Sequence, residues 1–165
     1  MKLVIAPAEI LKIPTIDVDE DMDNIVQYAK QMYEIMIQSK GVGLAAPQVG
    51  INKSFFIMGD SEKYTVITNP KIIKFSENKV RLEEGCLSYP DLLMKVLRPE
   101  NVDVEYVNTN GKIINGTLTS MVSRVFQHEF DHTKGVTFDT LVSKLVLNMA
   151  EKKRLNKWKK DGRRV

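Results

Sequence analysis

The 165-residue chain holds two histidines, and they stand four residues apart, at His128 and His132. On a helix that spacing puts both imidazoles on one face, one turn apart, where two ring nitrogens can reach one metal ion. Glu129 lies about 100° round the helix from His128. There it can reach a water at the ion without ligating the ion itself. H-E-x-x-H with this division of labour is a signature of metal-dependent hydrolases. Met121, Val125, His128 and His132 fall within about 60° of arc at 100° per residue. The histidine pair therefore continues an apolar stripe and is expected to point inward. Two imidazoles without partners are costly to bury, and ligation of a metal offsets that cost.

A catalytic site of this kind wants three protein ligands and one open position. There is no third histidine, and Glu151 falls in a basic segment. Cys86, the single cysteine, lies in Glu83-Glu84-Gly85-Cys86-Leu87-Ser88-Tyr89-Pro90. A thiolate is a strong ligand for a borderline metal. Gly85 is expected to give the backbone freedom beside the sulfur, and Pro90 to end the segment. One cysteine also excludes an intrachain disulfide, which fits a reducing compartment.

Several elements must position these residues. Asp19 to Lys40 reads as a first helix, with Met22, Ile25, Val26, Ala29, Met32, Tyr33 and Met36 at three- and four-residue spacing. Asp19, Glu20, Asp21 and Asp23 suit the dipole at its start, and Lys40-Gly41 is a stop signal. Ser54 to Met58 and Tyr64 to Thr68 read as strands, broken by Gly59-Asp60 and Asn69-Pro70. Val102, Val104 and Tyr106 alternate with Asp103, Glu105 and Val107, the period of a half-buried strand. Asn110-Gly111 reads as a hairpin turn, with Lys112 to Thr117 returning. Leu118 to Thr133 reads as the helix that carries the histidines, ended by Gly135. A third helix follows from Phe138, Leu141, Val142, Leu145, Val146 and Met149. The order predicts an α+β fold: mixed or antiparallel strands around a central H-E-x-x-H helix, flanked by N- and C-terminal helices.

Length predicts a single catalytic domain over residues 1–165, with a basic helix or tail from about 150. Apolar residues at 43% and charged residues at 27% exclude wholesale disorder. No stretch approaches the roughly 20 apolar residues of a membrane span. No secretory signal is evident, so the chain is expected to be soluble and intracellular. Net charge is +3 overall, but Glu151 to Val165 alone carries eight basic and two acidic residues. That asymmetry suits either a solvated helix or contact with a polyanion such as RNA.

Three separated segments then resemble the peptide deformylase family. They are Gly41-Val42-Gly43-Leu44-Ala45-Ala46-Pro47-Gln48, Glu84-Gly85-Cys86-Leu87-Ser88 and Gln127-His128-Glu129-Phe130-Asp131-His132. The resemblance runs from about Leu11 to Phe138. It implies hydrolytic removal of the formyl group from the N-terminal formylmethionine of nascent polypeptides, releasing formate. Cys86, His128 and His132 would hold one divalent ion per chain, Fe(II) in the native state, with Zn, Ni or Co also able to support the site. Glu129 would act as general base and then general acid. The Gln48 side-chain amide and the Leu87 backbone N–H would stabilise the oxyanion. Gly43 and its neighbours would receive the substrate backbone, while Leu44, Leu87 and the Gly43 backbone would crowd out acyl groups larger than formyl. Val42, Met121 and Val125 match positions that build the methionine pocket. Asp131 would orient a ligand histidine or its helix. By the same resemblance the protein acts in the cytoplasm of a bacterium, or of the host cell if phage-encoded, with an organelle also open. Its basic C-terminal helix becomes a candidate for contact with ribosomal RNA.

The match is not uniform. Thr133 stands where the family usually has Leu, and Leu93 stands seven residues after the motif cysteine, where many members carry Arg. Arg98 is nearby and could serve structure. The alternative function is a general H-E-x-x-H metallopeptidase, which needs a His or Glu in place of Cys86.

Overall fold

The computed structural model describes residues 1–19 and 22–163. In chain order it contains α1 (Met22–Gln38), β1 (Gly43–Ala45), β2 (Phe55–Gly59), β3 (Tyr64–Phe75), β4 (Lys79–Cys86) and β5 (Tyr89–Pro99). These are followed by β6 (Val102–Val107), β7 (Ile113–Leu118), α2 (Ser120–Thr133) and α3 (Lys144–Lys160). Short 3₁₀ turns occupy Glu9–Lys12, Ala46–Val49 and Phe138–Leu141. Five strands form one antiparallel sheet in the order β1-β2-β3-β6-β7, and β4 pairs with β5 as a separate antiparallel hairpin. The fold is α+β.

The sheet is sandwiched between two helices, which explains the uninterrupted apolar run Phe55-Phe56-Ile57. Successive side chains on a strand face opposite ways. Leu44, Phe55, Ile57 and Val66 pack with Ile25, Ala29, Met32 and Met36 of α1. Ala45, Phe56 and Ile67 pack with Phe126 of α2 on the other face, together with Val102 and Val104. A third cluster joins Cys86, Leu92, Met94 and Val96 of the hairpin to Phe138, with Val142, Leu147 and Ala150 against it. No described helix is long and apolar enough to cross a membrane.

Several boundaries differ from the sequence reading, each for a local reason. Of the acidic residues expected at the start of the first helix, Glu20 and Asp21 lie outside the described residues. The chain does turn at Lys40-Gly41, but Lys40 takes the left-handed conformation (φ 56), while Gly41 N–H bonds Met36 O at 2.8 Å. β3 runs on through Asn69-Pro70 to Phe75. Asn69 (φ 48) takes up the disruption in a register shift between Thr68 and Lys71, so the pair makes a bulge rather than a break. Pro90 does not end its segment: it is the second residue of β5, where a missing N–H is tolerated. The hairpin β4–β5 was not expected. The turn at Asn110-Gly111 is present, with Gly111 at φ 71, and β7 returns from Ile113.

The histidine helix starts at Ser120, because Leu118 still belongs to β7, and it stops where expected. Gly135 is needed twice over. Its φ is +70, and a Cβ there would come within 2.6 Å of the Lys12 carbonyl oxygen. The third helix begins at Lys144, capped by the Ser143 hydroxyl, rather than at Phe138. Leu145 and Met149, read as its apolar face, are 70% and 64% exposed.

Candidate metal centre and active site

The three separated motifs converge. Cys86 ends β4, and His128 and His132 lie on α2; their ligand atoms all fall within 4.8 Å of one another, and all three residues are buried. Bonds of about 2.0–2.3 Å from one ion can bridge donors at such spacing. Cys86 Sγ is 3.3 Å from His132 Nε2. The two imidazoles sit edge to face with centroids 5.2 Å apart. His132 Nδ1 is buried without a hydrogen-bond partner. Two imidazoles and a sulfur, drawn together inside the protein, form a donor set that fits a single borderline divalent ion.

The carboxylate that orients the first histidine is Glu84, not Asp131. His128 Nδ1 lies 2.9 Å from Glu84 Oε2, which leaves Nε2 turned toward the sulfur side. Asp131 instead accepts from Arg98 Nη1 at 2.6 Å. Arg98 also grips Glu84 with both Nε (2.6 Å) and Nη2 (3.0 Å). Arg124 donates from Nη1 to Glu84 Oε1 at 2.8 Å and to the Val96 carbonyl at 3.0 Å, and from Nη2 to the Val80 carbonyl at 2.6 Å. The hairpin is thereby locked to α2 through one buried carboxylate. Burial alone would raise the Glu84 pKa, but His128 and the two guanidinium groups hold it far below the usual range.

The remaining charges follow from the same surroundings. Burial opposes protonation of His128, yet the adjacent Cys86 sulfur and Glu84 carboxylate outweigh it and push its pKa up to about 10. A cation and a proton therefore compete for that ring. His132 is held well below its ordinary value by burial and by the charges of His128 and Arg98. Burial raises Glu129 to about 7. That value suits a group that must both take and return a proton near neutral pH. Glu129 Oε2 is buried with no hydrogen-bond partner. A Cβ added at Gly43 would come within 2.8 Å of the Glu129 carboxyl carbon, so the absence of a side chain there leaves room for that carboxylate.

Gln48 sits in the buried 3₁₀ turn after β1, with its amide oriented by its neighbours. Its Oε1 accepts from the Ala45 N–H at 2.8 Å, so its NH₂ group faces Cys86 Sγ (3.3 Å) and Ser88 Oγ (3.2 Å). The N-terminal segment fastens these motifs together: Val4 N–H bonds Gln48 O at 2.7 Å and Ala6 N–H bonds Ser88 O at 2.8 Å.

Gln48, Glu84, Cys86, Arg124, His128 and Glu129 line one cavity of about 560 Å³. Its wall includes Val42, Gly43, Gln48, Cys86, Leu87, Met121, Val125, His128 and Glu129. Met121, expected to face inward, is 57% exposed at this wall, and Val125 is half-buried. Leu44 is not part of it. That side chain is fully buried on the α1 side of the sheet, because neighbours on a strand alternate faces. Phe138 packs edge-on against both His128 (5.7 Å) and Tyr89 (5.5 Å).

Sequence reasoning missed Glu84, Arg98 and Arg124 as a unit. A signal existed for Arg98: it occupies the inward position that follows Leu92, Met94 and Val96 at period two. A guanidinium at a core position requires a buried acid.

A buried Cys/His/His donor set on an H-E-x-x-H helix, with an unpartnered glutamate beside it, defines a metal-dependent hydrolase. Known proteins narrow the class. The model of the Polypeptide deformylase family matches residues 1–147. A peptide deformylase of Thermotoga petrophila is 41% identical over 114 residues, which is 69% of this chain and 70% of that protein. One of Aquifex aeolicus is 40% identical over 142 residues, 82% of this chain and 83% of that protein. The crystal structure of a peptide deformylase from Synechococcus elongatus in complex with actinonin superposes with a TM-score of 0.87 at 36% identity, covering 93% of this chain and 85% of that one. The chain belongs to the peptide deformylase family, metal-dependent hydrolases that remove the formyl group from the N-terminal formylmethionine of new polypeptides. These matches do not favour the general metallopeptidase alternative.

Proposed function

We propose that residues 1–165 act as one catalytic domain in which Cys86, His128 and His132 hold the ion and Glu129 moves the proton. The observation that carries this reading is the convergence of those three donors beside a buried carboxylate oxygen that has no partner. An ion held there supplies a Lewis acid that makes water a nucleophile near neutral pH and offsets charge on the formyl oxygen. Glu129 takes a proton from the attacking water at Oε2 and returns it to the amine nitrogen as the C–N bond breaks. The products are formate and a free amino terminus. The Gln48 NH₂ group, already turned toward Cys86, and the Leu87 backbone N–H donate to the developing oxyanion.

Val42, Met121 and Val125 receive the methionine side chain, and Gly43 receives the substrate backbone. Exclusion of larger acyl groups falls to Leu87 and the Gly43 backbone rather than to the buried Leu44. The chemistry of one sulfur and two imidazoles suits Fe(II), with Zn, Ni or Co as substitutes. The place of action is the cytoplasm, at chains leaving the ribosome. The basic face of α3 contacts ribosomal RNA, and truncation after Met149 weakens ribosome binding in a salt-dependent way.

The test is incubation of ion-loaded protein with a formyl-Met peptide and with an unformylated peptide of the same length, products being identified by mass. Formate and a peptide with a free amino terminus are expected from the first, and no cleavage from the second. Internal fragments without formate would replace this reading with an endopeptidase.

A further inference from the structure

Where the β4–β5 hairpin reaches the metal centre, its pairing is broken. Gly85 pairs with Leu93, but the next residue of β4, Cys86, pairs with Tyr89. One step along β4 therefore spans four along β5, and Pro90, Asp91 and Leu92 bulge from the hairpin. Asp91, in the middle of the bulge, takes the left-handed conformation (φ 60). A residue other than glycine stays there only where its surroundings hold it. Tyr89, Pro90, Asp91 and Leu92 all line the cavity that contains Cys86, His128 and Glu129. The bulge is thus a wall of the active site beside a metal ligand.

The groups that hold this bulge come from α3 and the residues just past it. Leu92 is buried in the cluster against which Leu147 and Ala150 of α3 pack. The Asp91 side chain is 17% exposed. Its Oδ1 accepts from Lys157 Nζ, and its Oδ2 accepts from Trp158 Nε1 at 2.9 Å and Arg163 Nη1 at 2.7 Å. Two contacts set these donors in place. Arg163 N–H bonds the Trp158 carbonyl at 2.9 Å, which turns the chain back toward Asp91, and the Arg154 guanidinium lies 4.9 Å from the centre of the Trp158 ring. One exposed lysine on a carboxylate would count for little. A charged acceptor shared by an indole, a guanidinium and an ammonium is fixed in direction as well as in charge. Lys157, Trp158 and Arg163 do not line the cavity themselves, so they reach it through Asp91.

We infer that Asp91 is a positioning residue for substrate binding, through which the end of α3 fixes residues 90–92 as a wall of the active site. This inference rests on the deformylase reading above. The ion ligands are held by other contacts, Cys86 by β4 and the Gln48 amide and His128 by Glu84. Freeing the wall therefore leaves the reacting groups in place and lowers the fraction of molecules ready to receive a peptide. A wall in its binding form about one-fifth of the time raises KM about fivefold and leaves kcat little changed.

The experiment measures kcat and KM for formate release from formyl-Met-Ala-Ser by the ion-loaded full chain. Its variants are Asp91→Ala, a triple variant (Lys157→Ala, Trp158→Phe, Arg163→Ala) and the two combined. Asp91→Ala and the triple variant should each raise KM about fivefold and keep kcat within about twofold. The combined variant should be no worse than either, because both remove the same contact. Trp158→Phe alone keeps the ring, loses the donor and carries the same test at smaller amplitude. Thermal unfolding and ion content of each variant report separately on folding and on the metal centre. A wild-type KM in the folded, ion-loaded triple and Trp158→Phe variants would overturn the inference alone, as would a loss confined to kcat or additive effects in the combined variant. Absence of formate with ion-loaded wild-type protein would overturn the deformylase reading, and the inference with it.

Discussion

The two helices that follow the sheet, α2 and α3, treat their side chains in opposite ways. α2 buries Ser123, Arg124, Gln127, His128, Glu129 and His132, a largely polar set. α3, three residues longer, has no buried residue, and it exposes Leu145 and Met149 while its last turn carries Lys157, Lys159 and Lys160. Polar atoms inside a protein need partners, and α2 supplies them through Glu84, Arg98 and Asp131. The atoms on it that lack partners, His132 Nδ1 and Glu129 Oε2, both belong to the H-E-x-x-H motif. α3 rests on β5 through half-buried Leu147 and Ala150, and is tied down at its end by Lys157, Trp158 and Arg163 on Asp91. A helix that buries polar groups is the one built around chemistry. A helix that exposes apolar and basic groups is built around its surface.

That contrast predicts a hierarchy of mutational effects. The largest is on α2 itself: Glu129→Ala should lower turnover by about 10²–10⁴-fold while the ion content, measured by elemental analysis, is unchanged. Next is the support beneath α2. Glu84→Ala leaves two guanidinium groups buried without their shared carboxylate, and should destabilise the fold by about 3 kcal/mol in denaturant unfolding, with weaker ion binding as well.

Smaller effects belong to α3. Hydrogen bonds from Lys157 and Trp158 hold Asp91 at about 2 instead of its usual 3.8. A carboxylate whose folded pKa lies below its unfolded value stabilises the fold fully above the unfolded value and loses that contribution as pH falls through the folded one. Asp91→Asn should therefore flatten acid destabilisation between about pH 4 and pH 2, followed by circular dichroism. Smallest of all, Leu145→Ser with Met149→Ser should change stability by no more than about 0.5 kcal/mol in the same assay. A large loss there would mean that α3 is buried against something, and would break the contrast.

The same contrast shows what was legible in the sequence. His128, Glu129, His132 and Cys86 could be found because metal ligation imposes residue types and short spacings that few other needs impose. The three helices and most strands of the five-stranded sheet were also legible, because their apolar residues recur at helical or strand spacing, or in a short run, and turn residues bound them. The ion network was not: Glu84 lies 14 residues from Arg98 and 40 from Arg124, and nothing local links them. The β4–β5 hairpin was overlooked because charged residues crowd its outer face and Pro90 reads as a stop. The start of α3 was misplaced because Phe138, Leu141 and Val142 continue the helical period while serving a 3₁₀ turn and the core beneath it. Leu44 was assigned to the cavity by motif proximity, which ignores the alternation of strand faces.

The central claim is that one sulfur and two imidazoles, drawn from two separated segments, hold a single ion. Loading ion-free protein with cobalt(II) tests it most directly. The account predicts one cobalt per chain and a sulfur-to-cobalt absorption band that disappears in Cys86→Ser and persists in Glu129→Ala. An unchanged band and stoichiometry in Cys86→Ser would contradict it.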